Sequence, residues 1–180
     1  MAALSKRLRV LLAALAVAGS AQAQVQAPEA SRYSAAVATE WFRVVLPAIQ
    51  QTPGQSPPVA ARTLAYLGLG LYESILAGTP GQRSFAGQLV ELESLPAAQP
   101  DEVLHWPTVA NATLAALTQM LLPNAPPDWK ARFEALERNM PVAQSADFDP
   151  MQRTPEVIIR SETHGKLLAM ALMTWARTDG

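Results

Sequence analysis

From residue 31 onward the apolar positions recur every three to four residues, and prolines, glycines and hydroxyl residues divide the chain into segments that read as helices. In 31–51, Val37, Trp41, Val44 and Val45 share helical spacing, and Pro47 is expected to kink the last turn. Thr52-Pro53-Gly54 is a turn signal, and Ser56 before Pro57 fits an N-cap followed by proline at the first helical position. That second helix should end at 78–80. Residues 81–104 have little periodicity and contain Pro96 and Pro100, so this long connection is expected to be part helical or partly disordered. Helix resumes over 106–122, breaks at 123–127, and returns over 128–140 with Trp129, Phe133 and Leu136 on one side. After a loop through Phe148 and Pro150, Thr154-Pro155-Glu156 starts a last helix that runs to 179. Strand alternation is nearly absent, so the pattern predicts an all-α, single helical-bundle domain of about five helices.

Two helices can be read in more detail on a wheel of 100° per residue. In the second, Ala60, Leu64, Leu67, Gly68, Leu71 and Ile75 form the expected core face, with Arg62, Tyr66, Leu69 and Glu73 opposite. Gly68 lies in the core stripe, where a close approach by another helix would offset its propensity cost, and Gly70 lies off its edge. Arg62 and Glu73 are three turns apart, so they do not pair with each other. They read either as a solvated face, the more usual fate of charge, or as groups that meet a second set of helices. In the last helix, Val157, Ser161, His164, Leu168, Ala171 and Trp175 form one stripe, and Ile159, Met170 and Met173 form a second on the other side. A helix apolar on two faces is normally buried on both.

Composition narrows the chemistry. The chain has 180 residues, 49% of them hydrophobic, and no cysteine, which excludes disulfides, thiolate metal sites and a cysteine nucleophile. Lys6, Arg7 and Arg9 precede the apolar run 10–18, and Ala21-Gln22-Ala23 supplies an A-x-A cleavage site. This three-part pattern predicts a signal peptide over 1–23 and a mature all-α domain over 24–180, periplasmic or secreted. Removing 1–23 takes three of the 14 basic side chains and none of the 15 acidic ones, leaving a net charge of −4. That balance argues against nucleic acid as a partner, and no run in the mature part is long enough to span a membrane.

Candidate active-site residues are few. His164 shares its face with apolar neighbours beside Gly165, yet no histidine or carboxylate stands at i+3 or i+4 on that face, so the spacing favours a hydrogen-bonded structural histidine over a ligand. His105 lies far off in sequence, beside a loop. Glu162 and Lys166 fit an ordinary surface pair. Asn111-Ala112-Thr113 has the glycosylation pattern but falls within a helix and carries no weight. Phosphate-loop, nucleophile-elbow and H-E-x-x-H motifs are absent. The residues alone therefore assign no catalytic, cofactor-binding or metal site.

Four segments, at 40–49, 56–75, 110–140 and 163–180, resemble the N-terminal helical half of vanadium-dependent haloperoxidase-like proteins of the type 2 phosphatidic acid phosphatase superfamily. The strongest pieces are Pro57-Pro58-Val59-Ala60-Ala61-Arg62, Tyr72-Glu73, and Trp175-Ala176-Arg177-Thr178-Asp179-Gly180. The resemblance implies an all-α fold. It also implies that the oxyanion of the superfamily, phosphate or vanadate, is held by a Lys with Arg-Pro, a Ser-Gly-His segment, and an Arg followed by a His. This chain has neither Arg-Pro nor Ser-Gly-His. Lys130 and Arg138 have a faintly similar spacing, but Asn139 follows, and they sit on an amphipathic surface helix. In the family that apparatus lies downstream of the segment matching 175–180, so no catalytic residue is carried over.

Two readings follow. The chain is the N-terminal scaffold of a secreted haloperoxidase-like or phosphatase-like protein, inactive alone and partnered by a missing C-terminal half or by itself. Alternatively it is a complete small helical protein acting as a non-catalytic binding or interaction module. The first is preferred, and under it vanadate or phosphate would be bound only with a downstream catalytic half.

Overall fold

The computed structural model describes residues 29–99, 102–143 and 154–179, so the segment expected to be a signal peptide and the loop through Phe148 and Pro150 lie outside the described residues. Among the described residues there are five α-helices and no strand: α1 (Ala36–Gln51), α2 (Pro57–Ile75), α3 (Trp106–Leu121), α4 (Pro127–Ala143) and α5 (Pro155–Ala176). The all-α fold with about five helices thus matches the helical punctuation. Short 3-10 turns at Ala30–Arg32 and Leu76–Gly78 complete the regular structure. Pro47 lies inside α1, which continues to Gln51.

The core is organised around α3. It carries no charged side chain, and twelve of its sixteen residues are buried, from Trp106 through Ala115 with Leu117 and Thr118. The other four helices pack against it. α1 contributes Val37, Trp41, Val45 and Ile49, and α4 contributes Trp129 and Phe133, with Leu136 half-buried as its amphipathic spacing requires. Asn111 ties three helices together: its Oδ1 accepts from Trp41 Nε1 at 2.8 Å, and its Nδ2 donates to Glu137 O at 2.9 Å. The asparagine of the glycosylation pattern is therefore an interior hydrogen-bonding node, 4% exposed.

The tightest contact is between α3 and α5. A Cβ added at Gly165 would lie 2.5 Å from Val109 O and 2.9 Å from Ala112 Cβ, so two backbones meet there with no room for a side chain. Thr113 Oγ1 sits in the seam, 2.8 Å from Val109 O and 3.1 Å from Gly165 O. Consequently α5 is rotated slightly from the expected stripe. Its buried residues are Val157, Ser161, Gly165, Leu168, Ala169 and Leu172, which puts His164 at the edge of the contact. Of the second apolar stripe, Met173 is half-buried against the core, whereas Ile159 and Met170 are exposed, together with Leu167.

α2 departs further from the wheel. Its buried residues are Thr63, Tyr66, Leu67, Gly70, Glu73 and Ser74, so Tyr66 and Glu73 leave the expected solvent face and Gly68 moves to it. The close-packed glycine is Gly70, whose added Cβ would meet Leu117 Cδ1, while Gly68 has open space. The reason is a second covering layer. The connection after α2 folds back over the Glu73 side, which the helical period of α2 alone does not encode.

These glycines make a paired prediction. Gly165→Ala should destabilise the fold by about 1–3 kcal/mol or more, because backbone atoms cannot move aside as a side-chain tip does. Gly68→Ala should stabilise it by up to about 1 kcal/mol, the helix-propensity difference at an open position. Urea unfolding of the two variants measures both, and equal effects would contradict the packing described.

Candidate functional site

Two polar clusters stand apart from the core. The first joins the start of α2 to the segment after α5. Arg62 Nε donates to Tyr66 Oη at 2.6 Å, Tyr66 Oη donates to Asp179 Oδ2 at 2.9 Å, and Arg62 Nη2 lies 3.5 Å from the same carboxylate oxygen. Trp175 packs edge-on against Tyr66, with ring centroids 5.8 Å apart, and its Nε1 donates to Val90 O at 2.9 Å. Burial raises the Tyr66 phenol above its usual value, against the opposing pull of Arg62, so it remains a hydrogen-bond donor. The hydrogen bond that Arg62 donates to Tyr66 and the nearby Asp179 likewise hold the Arg62 guanidinium charged. Two of the three pieces quoted for the resemblance, the one ending at Arg62 and the one holding Trp175 and Asp179, therefore meet around Tyr66. Arg62 does not point into solvent as a lone charge; it locks helix α2 to the end of α5.

The second cluster surrounds a cavity of about 320 Å³ between α2, the 79–99 connection, Trp106 and α5. Glu73 forms part of its wall. This side chain is 8% exposed, and its oxygens accept from Phe85 N at 2.6 Å and Ser84 Oγ at 3.0 Å. Ser84 Oγ itself accepts from Ala86 N, which leaves its proton for Glu73. Nearby, Tyr72 Oη donates to Arg83 O at 2.7 Å, and the Tyr72 ring packs edge-on against Phe85. Together these contacts pin a connection that has no helix of its own. The expected solvated position of Glu73 is thus corrected: it is a buried anchor whose partners lie 11 and 12 residues further along the chain.

His164 reaches the same cavity from α5. It is half-buried and has no hydrogen-bond partner among the described residues, unlike the hydrogen-bonded histidine expected from sequence. Burial lowers its pKa, opposed by the negative charge of Glu102. His105 lies elsewhere, buried just ahead of α3, with Nδ1 2.6 Å from Thr108 Oγ1, its backbone N–H donating to Ser161 Oγ, and its ring edge-on to Tyr33. Lys130 lines a different cavity on the α4 side, and Arg138 pairs with Glu134 on the surface of α4. The structure therefore does not bring the two histidines, Lys130 and Arg138 into one site. Among the described residues, no group of three His, Asp or Glu side chains could hold a metal ion. A further cavity of about 200 Å³, between Tyr33, Val37, Leu71 and Trp106, is almost wholly apolar.

No signal in the sequence joined Glu73 to His164, because they lie on different helices and meet only across the cavity. Glu73, Glu93 and Glu102 all lie far outside the i+3 and i+4 spacing of His164.

The lowered His164 pKa gives a pH prediction. The neutral imidazole is favoured in the fold, so as pH falls through the ordinary value of about 6.5 the unfolded chain takes up the proton first. This contribution to stability is intact above that value and is lost on acidification. Glu73 from α2 and Glu93 from the connection line the same cavity as His164, Glu102 acts on its charge, and Arg160 lies one turn back on its own helix. His164→Gln should therefore melt with a smaller drop between about pH 7.5 and 5.5 than the parent chain. An equal drop in both would show that His164 does not titrate differently on unfolding.

Compared with protein families, with curated proteins and with solved structures, the chain finds no match, so the likeness to haloperoxidase-like proteins rests on the quoted segments alone.

Proposed function

We propose that this chain is the helical scaffold of an exported, periplasmic or secreted haloperoxidase-like or phosphatase-like protein, without oxyanion chemistry of its own. The observation that carries this reading is the use to which Arg62, Tyr66, Trp175 and Asp179 are put: each spends its polar group on another part of the fold. Holding a tetrahedral oxyanion requires several cations aimed at one point in a site that excludes water. Here Arg43 pairs with Glu40 on α1, Arg138 pairs with Glu134 on α4, Arg132 lies over the Trp129 ring, and Arg62 faces Asp179. Each of these cations engages a partner of its own. Vanadate or phosphate would bind only to a second, catalytic half.

The scaffold also offers a face. Ile159, Leu167 and Met170 are exposed on α5, and no described helix is long and apolar enough to cross a membrane. Glu162 and Lys166, expected to pair with one another, are not within ion-pair distance among the described residues. Their placement between Ile159 and Met170 is close to two-fold symmetric along the helix. In an antiparallel pairing, Ile159 would pack on Met170 of a second copy while Glu162 approaches the other Lys166, the self-complementary arrangement that a two-fold interface needs. A second copy is therefore the proposed occupant of this face.

Two measurements test these statements. Calorimetry with vanadate and a phosphate-ester assay on the isolated chain should give no stoichiometric binding and no turnover above background. Vanadate binding abolished by His164→Ala would overturn the scaffold reading. Light scattering coupled to size exclusion should show self-association at micromolar concentration that Met170→Glu reverses. A clean monomer of the parent chain would reject the second copy and leave the face to a catalytic half.

A further inference from the structure

We infer that the cavity between α2, the 79–99 connection and α5 is a binding site for a small organic ammonium ion. Its volume of about 320 Å³ lies at the lower end of the range for small-molecule sites. Its wall is one-sided in charge: Glu73 and Glu93 line it, and no lysine or arginine does. Glu73 is the deciding group. More than nine-tenths of it is buried, yet its hydrogen bonds come from a backbone N–H and a hydroxyl, and no cationic side chain lies within ion-pair distance of it among the described residues. A buried carboxylate with neutral donors alone keeps an uncompensated charge, and a cation placed in the adjoining cavity would offset it.

The rest of the wall suits the remainder of such a ligand. Trp106, 3% exposed with its ring packed against Gly78, closes the floor of the cavity as apolar wall. His164 offers an imidazole that burial keeps neutral, able to accept a hydrogen bond from an N–H. Leu76, Ala77, Leu95 and Pro96 give an apolar side for a short hydrocarbon chain. A bare divalent cation would want three or more protein ligands at short range, and no such group is present among the described residues. An ammonium ion with a small apolar body needs only one or two carboxylates and the apolar wall. The inference is independent of the scaffold reading, because it concerns neither an oxyanion nor the outer face of α5.

The test is calorimetric titration of the purified full chain at low ionic strength with n-butylammonium, n-butanol and butyrate. The expected result is saturable one-site binding of n-butylammonium and none of butyrate, with n-butanol weaker by at least about tenfold, the loss of one charge-assisted contact. Glu93→Lys should weaken n-butylammonium by at least about tenfold without lowering the melting temperature, since Glu93 is exposed. It also avoids disturbing the loop that Glu73 holds. Equal affinity for n-butanol and n-butylammonium, absence of saturation by n-butylammonium, or binding unchanged by Glu93→Lys would each overturn the assignment.

Discussion

The fold depends on the burial of α3, which is complete from Trp106 through Ala115. A helix surrounded by four others has no face on which to place a charge, and its sixteen residues contain none. Surrounding it also requires that its polar side chains be satisfied internally, since an unpaired buried donor or acceptor costs about 1–3 kcal/mol. Asn111 answers to α1 and α4, Thr113 to α5, and Thr108 to His105. Thr118 Oγ1 is left without a partner among the described residues. It is fully buried and lines a small internal gap together with Trp41 and Leu67.

Close approach supplies the other half of the constraint. Because Gly165 lets the α5 backbone reach Val109 O and Ala112, the helices interlock through small groups, with Ala169 fully buried next along the same stripe. That register fixes the remaining side chains of α5. Leu168 and Leu172 go to the core, His164 turns toward the cavity, and Ile159, Leu167 and Met170 are left outside. One glycine thus decides which face of α5 is interior.

The polar clusters then bind what the core does not reach. Glu73 holds the loop at Ser84 and Phe85, Trp175 holds it again at Val90, and Tyr66 joins Arg62 to Asp179. The Arg62–Asp179 ion pair is roughly half exposed, so solvent screening leaves it little weight of its own. Its importance is geometric. It joins the start of α2 to the segment after α5, where Trp175 packs edge-on against Tyr66.

What the sequence determined by itself was the kind and number of elements. Proline after Ser56 and Thr154, the breaks at 78–80 and 123–127, and the apolar period of α1 and α4 are local signals, and local backbone sterics and hydrogen bonding read them directly. Which face of α2 and α5 turns inward was decided only by tertiary structure. Both helices are apolar over much of their circumference, so the wheel leaves several orientations of similar hydrophobic energy, and the choice falls to steric fit at Gly70 and Gly165 and to the loop that Glu73 anchors. The convergence of Arg62 with Asp179, and of Glu73 with His164, belongs to the same category. Each pair spans about a hundred residues of chain, and no periodicity extends that far.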